Sequence, residues 1–178
     1  LRMSFCEFTV QYWAWKNVDA DYYGLCHYRR YLSFSDKRYK NTVFNMVREL
    51  KLTPHEKKKY HLDDTKKIEK TVKRYDMIIP GLAKASEMSY NRAEVKNLRE
   101  MWESYNGVYF EQGIIDKMFS LIKEYSPEYY NSACEYFSGK YHRAFNCYIM
   151  KKELFVRMCE FQFPIMNRIM EITDCKTY

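Results

Sequence analysis

The stretch GLCHYRRYL, residues 24–32, carries the most unusual run of charges in the chain. The apolar residues Tyr22–Cys26 predict a short buried strand, which is followed at once by His27, Arg29 and Arg30. Ligands of open α/β sheets bind beyond the carboxyl ends of the strands, and arginine binds phosphate oxygens in a fork. The pattern therefore predicts a phosphate or sugar site. In the alternative interpretation, both arginines brace the fold through ion pairs with acids such as Glu7.

Two further apolar runs, YDMIIPG at 75–81 and FNCYIM at 145–150, predict buried strands. Amphipathic helices are predicted over residues 4–17, 112–125 and 151–172, and cap-plus-proline signals predict helix starts at Thr53-Pro54 and Ser126-Pro127. Residues 35–45 are predicted to form a polar loop. Strands that alternate with helices favour an α/β fold with a mostly parallel sheet flanked by helices, in one domain over residues 1–178.

The positive charge of the chain is concentrated in one segment. The formal net charge is +7, and residues 35–75 hold 13 Lys/Arg against 6 Asp/Glu, which accounts for all of it. Such a segment indicates an anionic partner, either phosphate, nucleic acid or an acidic membrane, or else a solvated helix face. Nucleic acid is not the expected partner, because the aromatic residues are not concentrated in this segment.

The six cysteines do not form metal-ligand pairs. They stand at 6, 26, 134, 147, 159 and 175, without a CxxC spacing. They are predicted to be buried free thiols of a reducing compartment, which favours a cytoplasmic protein. No membrane span or signal peptide is visible. The DxD at Asp19-Ala20-Asp21 stands before the first strand rather than after it, so no metal ligands are assigned; Mn²⁺ or Mg²⁺ stays an alternative cofactor.

Four segments together carry a family resemblance: FCEFTVQYWAWKN, ADYYGLCHYRRYL, YDMIIP and FNCYIMKKELF. In this order they resemble the bacterial family known as domain of unknown function 4422, which is associated with capsular and exopolysaccharide synthesis. The resemblance covers residues 4–171. It implies a GT-A-like (Rossmann-like) fold and a glycosyltransferase that uses a nucleotide-sugar donor of the UDP-sugar type. The implied acceptor is a growing glycan or a lipid-linked one, at the inner face of the membrane, with residues 35–75 toward the lipid headgroups.

The resemblance also supplies site residues, position by position. The residues that we expect to bind the donor diphosphate or sugar are Lys16, Asn17, His27, Arg29, Arg30, Asn146 and Lys151. The catalytic candidates are Glu7, Glu111 and Asp116, the last two because SYNGVYFEQGIIDKM lacks the histidines expected there. An upstream family segment is expected to be missing. Two other functions stay open: a nucleic-acid-binding module, and an inactive transferase remnant that acts as a scaffold.

Overall fold

A computed structural model describes residues 6–173 of the chain. These residues divide into two compact units. The first unit comprises residues 6–81 and 143–157, and the second comprises 82–142 and 158–173. The prediction of an α/β fold is confirmed, since both helices and small sheets are present. That the two units form a single domain stays a prediction.

The helices, in chain order, are α1 (Glu7–Asn17), α2 (Pro54–Lys59), α3 (Thr65–Val72), α4 (Ala85–Met88), α5 (Leu98–Glu103), α6 (Ile114–Tyr125), α7 (Tyr130–Ser138) and α8 (Lys152–Ile172). The strands are β1 (Tyr22–Leu25), β2 (Arg30–Leu32), β3 (Thr42–Val43), β4 (Met46–Arg48), β5 (Met77–Ile78), β6 (Leu82–Lys84), β7 (Tyr141–Arg143) and β8 (Tyr148–Lys151). None of these helices is long and apolar enough to cross a membrane.

The three predicted strands form one sheet of the first unit, in the order β1-β8-β5. Strand β8 is central and runs antiparallel to both neighbours, with Tyr22 opposite Lys151 and Leu25 opposite Tyr148. The predicted mostly parallel sheet is therefore wrong for these strands. The alternation of strands and helices predicts crossover connections, but apolar periodicity carries no information about strand direction, and β8 enters the sheet from the opposite end.

A second sheet of the first unit, β2-β4-β3, was not predicted. Strands β3 and β4 form a hairpin whose two central residues, Phe44 and Asn45, have φ of 49° and 62°. Left-handed backbone at both central residues matches the twist of a two-residue hairpin. The Gly81 N–H donates to the Phe44 carbonyl at 2.6 Å, which fixes the tip. The predicted polar loop at 35–45 is therefore wrong at its end.

The core of the first unit holds both sheets in place. Tyr23 of β1 stacks on Phe155 of α8 with ring centroids 4.1 Å apart, and both are buried. Tyr60 is fully buried behind the hairpin, and its hydroxyl donates to the Glu49 carboxylate. Because Met46 and Val47 are also buried, β4 is anchored firmly in the middle of its sheet.

The basic segment contains two short helices, α2 and α3. Thr53 caps α2 and Pro54 is its first residue, as predicted. The chain then breaks at His61, whose φ is 54°, and restarts at Asp64, the N-cap of α3. The left-handed residue ends α2, since a non-glycine side chain at positive φ cannot continue a right-handed helix.

The second unit consists mainly of helices around two small cores. One core joins Ala85, Leu98 and Met101, and the other joins Leu121 and Ile122 of α6 to Ile165 of α8. The amphipathic helix predicted over 112–125 is present as α6. The helix start predicted at Ser126-Pro127 is a 3-10 turn that leads into α7, which ends at Ser138.

The cysteines are only partly as predicted. None of the five described cysteines forms a disulfide. Cys147 and Cys159 are buried, but Cys6, Cys26 and Cys134 are exposed, so their predicted burial is wrong. For Cys134 the reason is that α7 buries none of its residues. Cys175 lies outside the described residues.

Candidate functional site

The segment HYRR forms a tight turn between β1 and β2. The Arg30 N–H donates to the His27 carbonyl at 3.1 Å, and the two residues form an isolated antiparallel bridge. Three cationic or titratable side chains are therefore presented by four consecutive residues at the end of β1. Their place after this strand is the one that the sequence predicted.

His27 is oriented from both sides of its ring. Its Nδ1 accepts from the Arg29 backbone N–H at 3.3 Å, and its Nε2 lies 3.4 Å from Oε1 of Glu7 in α1. This assigns the proton of the neutral ring to Nε2, which faces Glu7. Burial lowers the pKa of His27, as does the Arg30 guanidinium, while Glu7 opposes them. At neutral pH the imidazole is therefore an uncharged hydrogen-bond donor rather than a cation.

The two arginines of the turn lie on aromatic rings. The Arg29 guanidinium carbon is 4.5 Å from the Tyr28 ring centre, and that of Arg30 is 3.8 Å from the Phe145 ring centre. Within residues 6–173 neither forms an ion pair with a carboxylate. The alternative in which Glu7 braces them is wrong, because that carboxylate faces His27.

A small cavity of about 50 Å³ lies beside Arg30. Its lining consists of two arginines, three aliphatic side chains and one aromatic ring: Arg30, Arg48, Val43, Met46, Val47 and Phe145. Burial lowers the pKa of Arg30, and so do the neighbouring charges of Arg48 and Arg29. Nearby, burial raises the pKa of Cys147 to about 12, so this thiol is not a nucleophile at neutral pH.

Sequence reasoning missed Arg48 and Phe145. A signal for Arg48 was present in NTVFNMVREL at 41–50, where β-branched residues flank a Phe-Asn pair and an arginine follows. For Phe145 the sequence holds no comparable signal. Its backbone has φ of 73°, a conformation that phenylalanine rarely adopts.

Other predicted donor residues lie at the far end of α1. Lys16 rests on the Trp15 ring, 3.3 Å from its centre, and the Asn17 side chain donates to the Trp13 carbonyl at 2.9 Å. A helix rises 1.5 Å per residue, so Asn17 lies about 15 Å along the axis from Glu7. The structure does not bring these two residues to the HYRR turn.

The antiparallel register separates Lys151 from the turn as well. Lys151 is opposite Tyr22 at the start of β1, and its ammonium group lies 2.6 Å from an Asp76 carboxylate oxygen. Asn146, half-buried, precedes β8 at the other end, beside the last residues of β1. The two ends of β8 are about 10 Å apart. The seven predicted donor residues therefore fall into two groups rather than one.

The catalytic candidates of the second unit are both paired with cations. Glu111 accepts from Lys117 at 2.5 Å, and Asp116 forms an ion pair with Arg99. Asp116 also lines a cleft of about 440 Å³ together with Arg99, Lys123 and Tyr130. Glu7 belongs to the first unit, and the roles of all three carboxylates stay predictions.

The DxD provides little for a divalent ion. Asp19 lies 2.5 Å from the Lys152 ammonium group, which lowers the pKa of this carboxyl. The neighbouring Asp21 offers its carbonyl to the Lys152 N–H at 2.9 Å. Among the residues described, no three His, Cys, Asp or Glu side chains come together in a way that could hold a metal ion.

Comparisons with known proteins agree with this fold. The family model described as "Domain of unknown function (DUF4422)" matches residues 2–178. The apo structure of WbbM, a bifunctional glycosyltransferase, is similar over 98% of this chain, with a TM-score of 0.79 and 25% sequence identity. The matched part is 30% of the WbbM chain, so this chain spans less than a third of that protein. No curated protein matches the chain.

Proposed function

Since the chain belongs to the family called domain of unknown function 4422, we propose that it is a glycosyltransferase domain that moves a sugar from a nucleotide-sugar donor to a growing glycan. The observation that carries the proposal is the likeness of nearly the whole chain to part of a glycosyltransferase. The proposal treats both compact units as one domain with a GT-A-like core, and a UDP-sugar as the donor.

The reaction needs positive charge where the leaving group forms. A hydroxyl oxygen of the acceptor attacks the anomeric carbon, the bond from that carbon to the diphosphate oxygen breaks, and its electron pair leaves with the nucleoside diphosphate. Fixed cations placed at the developing charge lower the barrier. Arg29 and Arg30 are suited to this task, because neither has a carboxylate partner within residues 6–173.

His27 and Glu7 have supporting roles in this proposal. In this proposal the neutral imidazole donates its Nε2–H to an oxygen of the sugar donor; in this structure Nε2 lies 3.4 Å from Oε1 of Glu7. The proton of the acceptor hydroxyl goes to a carboxylate, for which Glu7, Glu111 and Asp116 are the candidates. A cationic clamp of this kind replaces a metal ion at the DxD, where Lys152 already takes the Asp19 carboxylate.

The basic segment fits an acceptor that is held at a membrane surface. Four of its acids pair within the segment: Asp36 with Lys67, Glu49 with Lys59, Asp64 with His61 and Glu69 with Lys73. Such pairing leaves the surplus of 13 cations over 6 acids unchanged. In the proposed function this surplus attracts anionic headgroups at the cytoplasmic face, near a lipid-linked acceptor.

The first experiment measures the release of nucleoside diphosphate from a panel of UDP-sugars. We expect Arg30→Ala to lower turnover by about a hundredfold or more, as for the loss of one charge-stabilising donor. Arg168→Ala is the matched control, since this exposed arginine of α8 pairs with Glu171. Equal turnover in wild type and Arg30→Ala, with both folded, would contradict the clamp.

The same protein samples separate the alternative functions. A nucleic-acid module would bind a random single-stranded oligonucleotide with a steep salt dependence. An inactive remnant would release no product from any UDP-sugar, whether or not a nucleoside diphosphate raises its thermal unfolding midpoint. Turnover of one UDP-sugar together with weak oligonucleotide binding is the result that the proposed function requires.

A further inference from the structure

Arg30 and Arg48 lie directly opposite each other in the second sheet. The register pairs Arg30 of β2 with Arg48 of β4, and Cβ atoms of such antiparallel partners are about 5 Å apart on the same face. Like charges directly opposite each other destabilise a sheet. Charged residues on an edge strand can serve to discourage aggregation, but β4 is the middle strand, so that explanation does not account for Arg48.

The surroundings do not neutralise the pair. Within residues 6–173 no carboxylate forms an ion pair with Arg30 or Arg48. The nearest acid along β4, Glu49, is engaged by Tyr60, Asn41 and Lys59. The repulsion between the two adjacent guanidinium groups therefore lowers the stability of the sheet, and a bound anion would offset this loss.

The cavity between them suits phosphate oxygens. Among the lining residues, Val43 and Met46 lie on the same face of the sheet as the arginines, and the Phe145 ring packs under Arg30. Apolar walls strengthen the attraction between a guanidinium and an anion. A space of about 50 Å³ admits a few oxygen atoms of a phosphate group between the two arginines.

We propose that Arg30 and Arg48 together form an anion site whose ligand is the diphosphate group of the sugar donor. This assignment rests on the proposed function. It adds Arg48, a residue that lies outside the four segments that carry the family resemblance. Arg30, half-buried on Phe145, provides the fixed side of the site, and the exposed Arg48 closes it from β4.

The test compares thermal unfolding of the full chain with inorganic pyrophosphate, UDP, uridine and geranyl diphosphate. Pyrophosphate and UDP should raise the midpoint of the wild type, whereas uridine should not. Arg48→Gln should weaken binding of both by about tenfold or more, the usual effect of losing a hydrogen bond to a charged group. Arg48→Lys should retain part of the binding, and Arg168→Ala should retain all of it.

A second readout distinguishes a ligand site from a structural arginine. Without any anion, Arg48→Gln should unfold at a higher temperature than the wild type, because it removes one of two opposed charges. An arginine that merely holds the sheet together would give the opposite result. A lower midpoint for ligand-free Arg48→Gln, or an unchanged pyrophosphate effect, would overturn the proposal. A response to geranyl diphosphate but not to UDP would overturn the assignment to the donor.

Failure of this site and failure of the proposed function give different results. If no UDP-sugar is turned over while pyrophosphate still binds through Arg30 and Arg48, the anion site stands and the transferase proposal fails. If UDP-sugar turnover is present and Arg48→Gln changes neither turnover nor binding, the transferase stands and the paired site fails.

Discussion

The two ends of the β1–β8 pair carry similar residues in different electrostatic settings. At the end near the HYRR turn, Arg29 and Arg30 lie on aromatic rings, and no carboxylate among the described residues pairs with them. At the other end, Lys151 pairs with Asp76 and Lys152 pairs with Asp19. Both ends contain residues predicted to bind the donor, but only the first keeps its positive charge available to a ligand.

Under the proposed function, this difference means that a family motif serves binding at one position and folding at another. Lys151 and Lys152, where β8 meets α8, pair with Asp76 and Asp19 of two loops. Arg29 and Arg30 form no such ion pairs within the described residues of their unit. We therefore expect the uncompensated charge next to a cavity, rather than the lysine in a shared motif, to mark the binding site.

The most demanding test of this comparison is Lys151→Ala measured beside Arg30→Ala. We expect Lys151→Ala to lower UDP-sugar turnover by no more than a few-fold, because its ammonium group is already held by Asp76. Arg30→Ala should lower it about a hundredfold. An equal loss of turnover in the two folded variants would show that both ends of the β1–β8 pair bind the donor, which would contradict the difference proposed between them.

The pH dependence of stability should also separate the ends. The pKa of His27 is lowered by burial, so the unfolded chain takes up protons first, and stability should fall as the pH drops through about 6.5. The pKa of Asp19 is lowered by Lys152, so its contribution is lost only as the pH falls below about 4. Urea unfolding of wild type, His27→Gln and Asp19→Asn between pH 3 and 8 measures both windows.

His142 is a second buried histidine with which the pH dependence of His27 can be compared. It is buried, its Nε2 has no hydrogen-bond partner in the described part of the chain, and burial lowers its pKa. Both His27→Gln and His142→Gln should therefore flatten the loss of stability between pH 7 and 5. If the stability of His27→Gln fell with pH as steeply as that of the wild type, the fold would not hold the His27 imidazole in its neutral form.

The smallest expected effect is that of Asp19→Asn at neutral pH. The Asp19 side chain is 87% exposed, and exposed ion pairs contribute little to stability. The urea midpoint should stay within experimental error of the wild type, in low and in moderate salt. A clear and salt-dependent decrease would show that this end of the sheet depends on its ion pairs more than proposed here.

The sequence predicts the local elements well and their assembly less well. The apolar runs before His27 and before Lys151 are strands, and Thr53 caps a helix, because these signals act over a few residues. Strand direction depends on how distant segments meet, which periodicity does not encode. For the same reason, the sequence could identify the seven donor candidates but could not show that they lie at two different ends of the β1–β8 pair.

The site shows the same limit. Arg30 follows an obvious strand and was predicted, whereas Arg48 is found only through the β2–β4 register. The neutral state of His27 could not be read from HYRR, since it depends on burial and on the facing Glu7.

The backbone around Arg30 also bears on how the protein would respond to selection. Phe44, Asn45 and Phe145 all have left-handed backbone, which costs an ordinary residue about 1–2 kcal/mol. Glycine at either phenylalanine would relieve this cost, but it would also remove a partly buried ring, and loss of a buried phenylalanine ring costs about 3–5 kcal/mol. At Phe145 the ring is also the one beneath Arg30, so a laboratory screen for heat tolerance and one for activity should both retain phenylalanine there.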